Sequence, residues 1–177
     1  LFVNYKRGTG GNKSLPAPEE EFGEGTSRMQ IFTAGIDFTY PFTIGNQPFR
    51  FNTSWNGQWN GTPLTQQDKF SIGGRYTVRG FDGELSLSGE KGWLWRNELG
   101  WNIANKGHEL YLGIDRGKVH SSQEEFQIGD SLMGGAIGLR GKLWGINYDY
   151  FVGVPIKKPE GFKTSHVTTG FNVSYRF

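Results

Sequence analysis

The chain has 177 residues, of which 35% are apolar and 15% aromatic, with 28 Gly, six Trp and no Cys. Nineteen basic against seventeen acidic residues give a formal net charge of +2, too small a bias to argue for nucleic acid or an acidic partner, and the lack of Cys removes disulfides and thiolate chemistry. No run approaches the roughly 18 apolar residues of a spanning helix, no signal-peptide pattern opens at Leu1, and abundant Gly with a hydrophobic period of two argues against helices.

Eight segments read as strands with one apolar face: 1–8, 32–42, 49–59, 93–103, 108–119, 133–143, 146–156 and 164–177. In the second, Phe32, Ala34, Ile36, Phe38, Tyr40 and Phe42 oppose Thr33, Gly35, Asp37 and Thr39. In the third, Phe49, Phe51, Trp55 and Trp59 oppose Arg50, Asn52, Ser54 and Gln58. The fourth sets Trp93, Trp95, Leu99, Trp101 and Ile103 against Arg96 and Glu98, with Asn97 as an exception on the apolar side. At ~3.3 Å per residue its outer Trp residues lie roughly 26 Å apart along the strand, the spacing of aromatic girdles at the two edges of a membrane. The last strand places Val167, Thr169, Phe171, Val173, Tyr175 and Phe177 on one face.

The connections alternate in length: long at 9–28, 61–92, 120–132 and 157–163, short at 45–48, 104–107 and 144–145. That parity is the pattern of an outer-membrane barrel, with long loops outside and tight turns on the periplasmic side. The fold expected is therefore all-β, a transmembrane antiparallel β-barrel with eight strands in this chain. Apolar faces meet lipid and polar faces line a lumen; the competing architecture is a soluble all-β sandwich or barrel.

The longest connection, 61–92, carries FSIGGRYTVRGFDGE at 70–84. Its glycines permit tight folding, Tyr76 and Phe81 are candidates to wedge against a wall, and Arg79 sits among Val78, Gly80 and Phe81. Two readings stay open for these residues alone: a tip that folds inward to pair with a carboxylate, or a Gly-rich hairpin on the surface. By parity Glu109, Tyr111, Gly113 and Asp115 face the lumen, as do Glu98 and Asp149, so Asp115 is within the reach of an inward loop. The alternative is a solvated Arg79, with Asp115 paired to a neighbouring strand. Inward Lys6, Arg50, Arg96, Arg140, Lys142 and Arg176 line a hydrated pore or pair with Asp37, Glu98, Asp115 and Asp149.

Val78-Arg79-Gly80-Phe81 resembles the VRG(F/Y) signature shared by two-partner-secretion transporters and outer-membrane barrel-assembly factors. Gly113-Ile114-Asp115-Arg116-Gly117 resembles the strand motif of the same superfamily. Residues 74–99, from GRYTVRGFDGE into GEKGWLWRNEL, are most similar to the two-partner-secretion branch, the hemolysin secretion and activation proteins. The resemblance implies an extracellular loop folded back into the barrel, with Asp115 as the lumenal partner of Arg79; Glu98 and Asp149, inward by parity, are weaker partner candidates. It implies that the eight strands are the second half of a sixteen-stranded barrel, and that periplasmic POTRA domains and the first barrel half precede them in a longer polypeptide. The expected function is export of a large partner exoprotein across the bacterial outer membrane. Expected partners are that exoprotein, outer-membrane lipid and the barrel-assembly machinery, with Tyr175 and Phe177 as the assembly signal. Alternatives are a barrel-assembly factor, or a self-contained small barrel acting as pore, adhesin or surface hydrolase.

Other motifs carry less. GTGGNKS at 8–14 lacks the Gly a phosphate loop needs before Lys13. His108, His120 and His166 are isolated from one another and no Ser, His and Asp grouping stands out, so no metal, cofactor or catalytic residue is expected. The acidic run Glu19-Glu20-Glu21 falls in an outer loop, where solvation accounts for it.

Overall fold

The structure, a computed structural model, describes residues 1–9, 15–23, 25–74, 76–103, 107–122 and 128–175. Alternating apolar and polar side chains produce ten strands: β1 (Phe2–Arg7), β2 (Gln30–Ile44), β3 (Gln47–Asn60), β4 (Phe70–Ile72), β5 (Leu87–Gly89), β6 (Lys91–Ile103), β7 (His108–His120), β8 (Ser131–Leu143), β9 (Ile146–Lys157) and β10 (Thr168–Tyr175). Eight form one antiparallel sheet in the order β1-β2-β3-β6-β7-β8-β9-β10, and β4 and β5 form a separate two-stranded sheet. The large sheet is open: in that order β1 neighbours only β2, and β10 only β9. No helix among the described residues is long and apolar enough to cross a membrane.

The outward face is greasy and laterally continuous. Tyr40, Phe42, Phe49 and Trp101 stack in series, with ring centroids 6.0, 5.6 and 6.5 Å apart, near the short turns. Phe32, Trp59 and Trp55 cluster at 5.9 and 5.8 Å near the long loops. These are the two aromatic belts, joined across neighbouring strands by the pairs Phe42–Phe49, Phe49–Trp101 and Phe32–Trp59 and along single strands by Tyr40–Phe42 and Trp55–Trp59. The exception at Asn97 has a local cause. Thr53 pairs with Asn97 across the β3–β6 ladder and donates its hydroxyl to Asn97 Oδ1 at 2.9 Å, while Trp95 Nε1 donates to Thr53 Oγ1 at 2.9 Å. Polar groups turned toward hydrocarbon are thus satisfied by each other.

The inward face departs from the expectation of a uniformly polar lining. Beneath the long loops it is apolar: Leu94 of β6, Val119 of β7 and Leu132 of β8 are buried with Ile72, Val78, Phe81, Leu87 and Phe162 in a single cluster. This core lies inside the curved sheet because the β3–β6 connection folds back onto the inner wall. That connection is also more ordered than a plain loop at 61–92, since β4 and β5 pair within it and β6 begins at Lys91. The last strand begins later than residue 164. It starts at Thr168; ahead of it the Ser165 N–H is donated to Asp82 of the long loop, and Thr164 Oγ1 accepts the Asp82 N–H.

Candidate functional site

The tip of the long loop reaches the inner wall through a turn and two apolar side chains. Thr77 donates its hydroxyl to the Gly74 carbonyl at 2.8 Å and accepts the Gly73 N–H at 3.1 Å, which closes a tight turn. Val78 and Phe81 are fully buried. Tyr76, expected to wedge beside Phe81, is instead 86% exposed. The Thr77-capped turn directs Tyr76 away from the wall that Val78 and Phe81 meet, and these two supply the apolar anchor.

Between those anchors Arg79 is 4% exposed and Asp115 fully buried. Asp115 Oδ2 accepts Arg79 Nε–H at 2.7 Å and the Arg79 backbone N–H at 3.0 Å, while Oδ1 accepts from Nη2 at 2.7 Å. The fork is therefore bidentate, with a third bond from the main chain fixing the backbone of the tip as well as its side chain. Arg79 Nη1 donates to Glu98 Oε2 at 2.7 Å, and Nη2 also donates to the Asn97 carbonyl at 3.2 Å. Of the carboxylates singled out from the sequence, Asp115 and Glu98 meet Arg79 directly. Asp149 stands one step away, accepting the Tyr111 hydroxyl at 2.8 Å, and the Arg79 guanidinium lies 5.9 Å from the Tyr111 ring centroid.

From this pair a ladder of alternating charge runs along the wall toward the short turns. Arg140 donates to Glu98 at 2.6 Å and to Glu109, and Arg50 Nη2 donates to Glu109 at 2.9 Å. Arg96, opposite Asp115 in the β6–β7 register, brings Nε to 3.6 Å from its Oδ2. Lys6 pairs with Asp68 of the long connection at 3.0 Å, which had not been among its expected partners. Glu109 was likewise not among the expected partners of Arg50 and Arg140, although its parity already turned it inward.

The seat under the tip is made of glycine, and of its wall residues only Gly113 stands out in the sequence, as part of the GIDRG motif. Gly113, Gly134 and Gly153 all lie on the inward face, and the tip rests directly on them. A Cβ at Gly134 would collide with the Arg79 carbonyl oxygen, one at Gly113 with the guanidinium, and one at Gly153 would come within 2.8 Å of the Gly80 nitrogen. Gly80 has φ +102° and itself faces the Val154 carbonyl so closely that a Cβ there would overlap it. Only glycine serves at that point, for both its conformation and its lack of side chain. The signal was available as glycine at matching parity on three neighbouring strands.

Tyr175 ends β10 and faces outward. Phe177 and Arg176, together with residues 10–14 of the Gly-rich segment, lie outside the described residues. Among the described residues there is no group of three or more His, Cys, Asp or Glu able to hold a metal ion.

Comparison with known proteins places this geometry among relatives. The model of the haemolysin secretion/activation protein family ShlB/FhaC/HecB matches residues 1–141. The outer membrane transporter CdiB-2 of Burkholderia pseudomallei (strain 1026b) is 39% identical over 98% of this chain and 30% of its own length. The outer membrane transporter CdiB of Dickeya dadantii (strain 3937) is 28% identical over 94% of this chain and 28% of its own. Among solved structures, CdiB from Acinetobacter baumannii matches with TM-score 0.76 and 34% identity, over 82% of this chain and 27% of that one. CdiB from Escherichia coli matches in fold with TM-score 0.84 at 23% identity, over 97% and 32%. The chain thus spans about three-tenths of the length of the curated relatives it matches.

Proposed function

The chain belongs to the haemolysin secretion/activation protein family of the bacterial outer membrane, and on that premise we propose that it is the C-terminal part of a pore that exports a large partner exoprotein by two-partner secretion. The eight strands form half of a sixteen-stranded barrel, and POTRA domains and further strands belong to the same polypeptide. The exoprotein passes through the lumen; lipid surrounds the apolar face, and the barrel-assembly machinery reads Tyr175 and Phe177. The relatives are named transporters, which favours export over barrel assembly and a pore over an enzyme.

The observation that carries the reading is the buried pair of Arg79 and Asp115 on the inner wall. It supports a role for Val78, Arg79, Gly80 and Phe81 as the element that holds the long loop in its working position within the lumen. Removing one partner of a buried pair typically costs about 3–5 kcal/mol, because the other charge is left without compensation. In the full-length protein, Arg79→Ala therefore leaves a heat-modifiable, membrane-inserted barrel but lowers exoprotein export at least about tenfold. Arg79→Lys recovers only part of it, since an ammonium has no planar fork for Asp115. Export at the unaltered rate in Arg79→Ala refutes the role.

A further inference from the structure

The ion pair fixes the tip to the wall, but the side of the tip turned away from β7 is held by a different element. Phe81 meets Phe162 of the β9–β10 connection edge-to-face, with ring centroids 5.7 Å apart at 86°, and both are fully buried. Immediately beyond, Asp82 Oδ2 accepts the Ser165 N–H at 2.6 Å, and the Asp82 N–H donates to Thr164 Oγ1 at 3.4 Å. The β9–β10 connection is itself braced for this contact: Lys158 Nζ donates to the Phe162 carbonyl at 2.6 Å, and Phe162 N–H donates to the Pro159 carbonyl at 3.2 Å. None of these bonds belongs to the sheet, so the connection can swing without breaking a strand ladder.

We propose that the β9–β10 connection is a clasp, with Phe162, Thr164 and Ser165 as positioning residues that close over Phe81 and Asp82, and that the loop tip cannot leave its seat until this clasp opens. The inference rests on the reading of the loop as held in a working position in the lumen, a position it leaves and regains during passage, so that losing the seat and locking it both lower export; it adds a second hold independent of Arg79. Two features make the clasp the movable side of the seat. The wall side is made by residues inside long paired strands, Asp115 in β7 and Glu98 in β6. The clasp side is an irregular connection that holds the tip through a ring pair and two hydrogen bonds to a single half-buried aspartate.

The test uses the full-length protein with Asp82→Cys and Ser165→Cys together. Residues 1–177 contain no Cys, so the pair supplies the only thiols of this region. Oxidation is expected to join the two and to lower export at least about tenfold, with recovery on reduction. Failure of the pair to join, or unchanged export in the joined protein, overturns the clasp. If the reduced pair and its parent alike export nothing, the export reading is what has failed, and the clasp is then decided by protease access. Trypsin cleavage after Arg79 in the inserted protein is expected to rise roughly tenfold in Phe162→Ala, from loss of the ring contact, and to return toward the parent rate in Phe162→Tyr. Should Phe162→Ala yield no inserted barrel, Phe162→Leu replaces it in the same assay; cleavage equal to the parent overturns the proposal.

Discussion

At the residue scale the seat depends on what is missing from three positions. Gly134 carries no side chain where the Arg79 carbonyl passes, so even one added carbon has nowhere to go unless the tip lifts. Gly134→Ala is a small change with little effect on strand propensity, yet it meets main-chain atoms that do not rotate aside. We expect Gly134→Ala to expose the tip to trypsin at Arg79 in the full-length protein while the barrel still inserts. Cleavage no faster than in the parent would show that the wall yields instead. The pairing of Arg79 with Asp115 was legible beforehand through the resemblance of VRGF and GIDRG to known motifs, with parity placing Asp115 inward; the residues alone left a buried tip and a surface hairpin open. The glycines were less legible. A residue that acts by lacking atoms carries no chemistry of its own, and its meaning depends on which loop lies above it.

Among elements, the two connections that meet at Asp82 are joined through one carboxylate. The Ser165 N–H, and after it the Glu84 N–H, hold the Asp82 carboxyl down at about 2, from its ordinary 3.8. A carboxyl whose folded value is depressed stabilises the closed state fully above its unfolded value, and that contribution fades as pH falls toward the folded one. Protection of the Ser165 amide from hydrogen exchange is therefore expected to be flat above about pH 4 and to decline between about pH 4 and 2. Asp82→Asn is expected to remove that step; a decline of the same shape in the variant assigns it to another group. The strands and their parity were readable because alternation is a local property of the chain. The contact between Asp82 and Ser165 was not, since it links residues more than eighty positions apart. β10 starts later than its alternating pattern, which includes Thr164 in a segment that serves the clasp instead.

For the whole molecule, the open sheet sets the expectation. β1 and β10 each end the sheet with one flank unpaired among the described residues. In hydrocarbon an unsatisfied backbone group costs several kcal/mol, so the sheet persists there only with both flanks paired, to each other or to further strands; on the proposed half-barrel the partners are further strands. Residues 1–177 produced alone in lipid or detergent are thus expected to give no compact, heat-modifiable band, whereas the full-length protein gives one. A compact band from residues 1–177 would instead mean that eight strands close on themselves. Barrel character was legible at this scale from the parity of connection lengths and from tryptophans at strand ends. The apolar core inside the wall was not, because inward Leu94 and Val119 look like lapses in the pattern, and Leu132 falls in the connection 120–132, until a loop is packed on them.

The seat of the tip draws on Glu98 in β6, Asp115 in β7, Gly134 in β8 and Gly153 in β9. Four adjacent staves of a cask are therefore pinned by one peg. The staves are already held in register by continuous backbone ladders, and the peg adds a hold that spans all four at once. Its removal leaves each seam closed but takes away a brace that ties the first of these staves to the fourth.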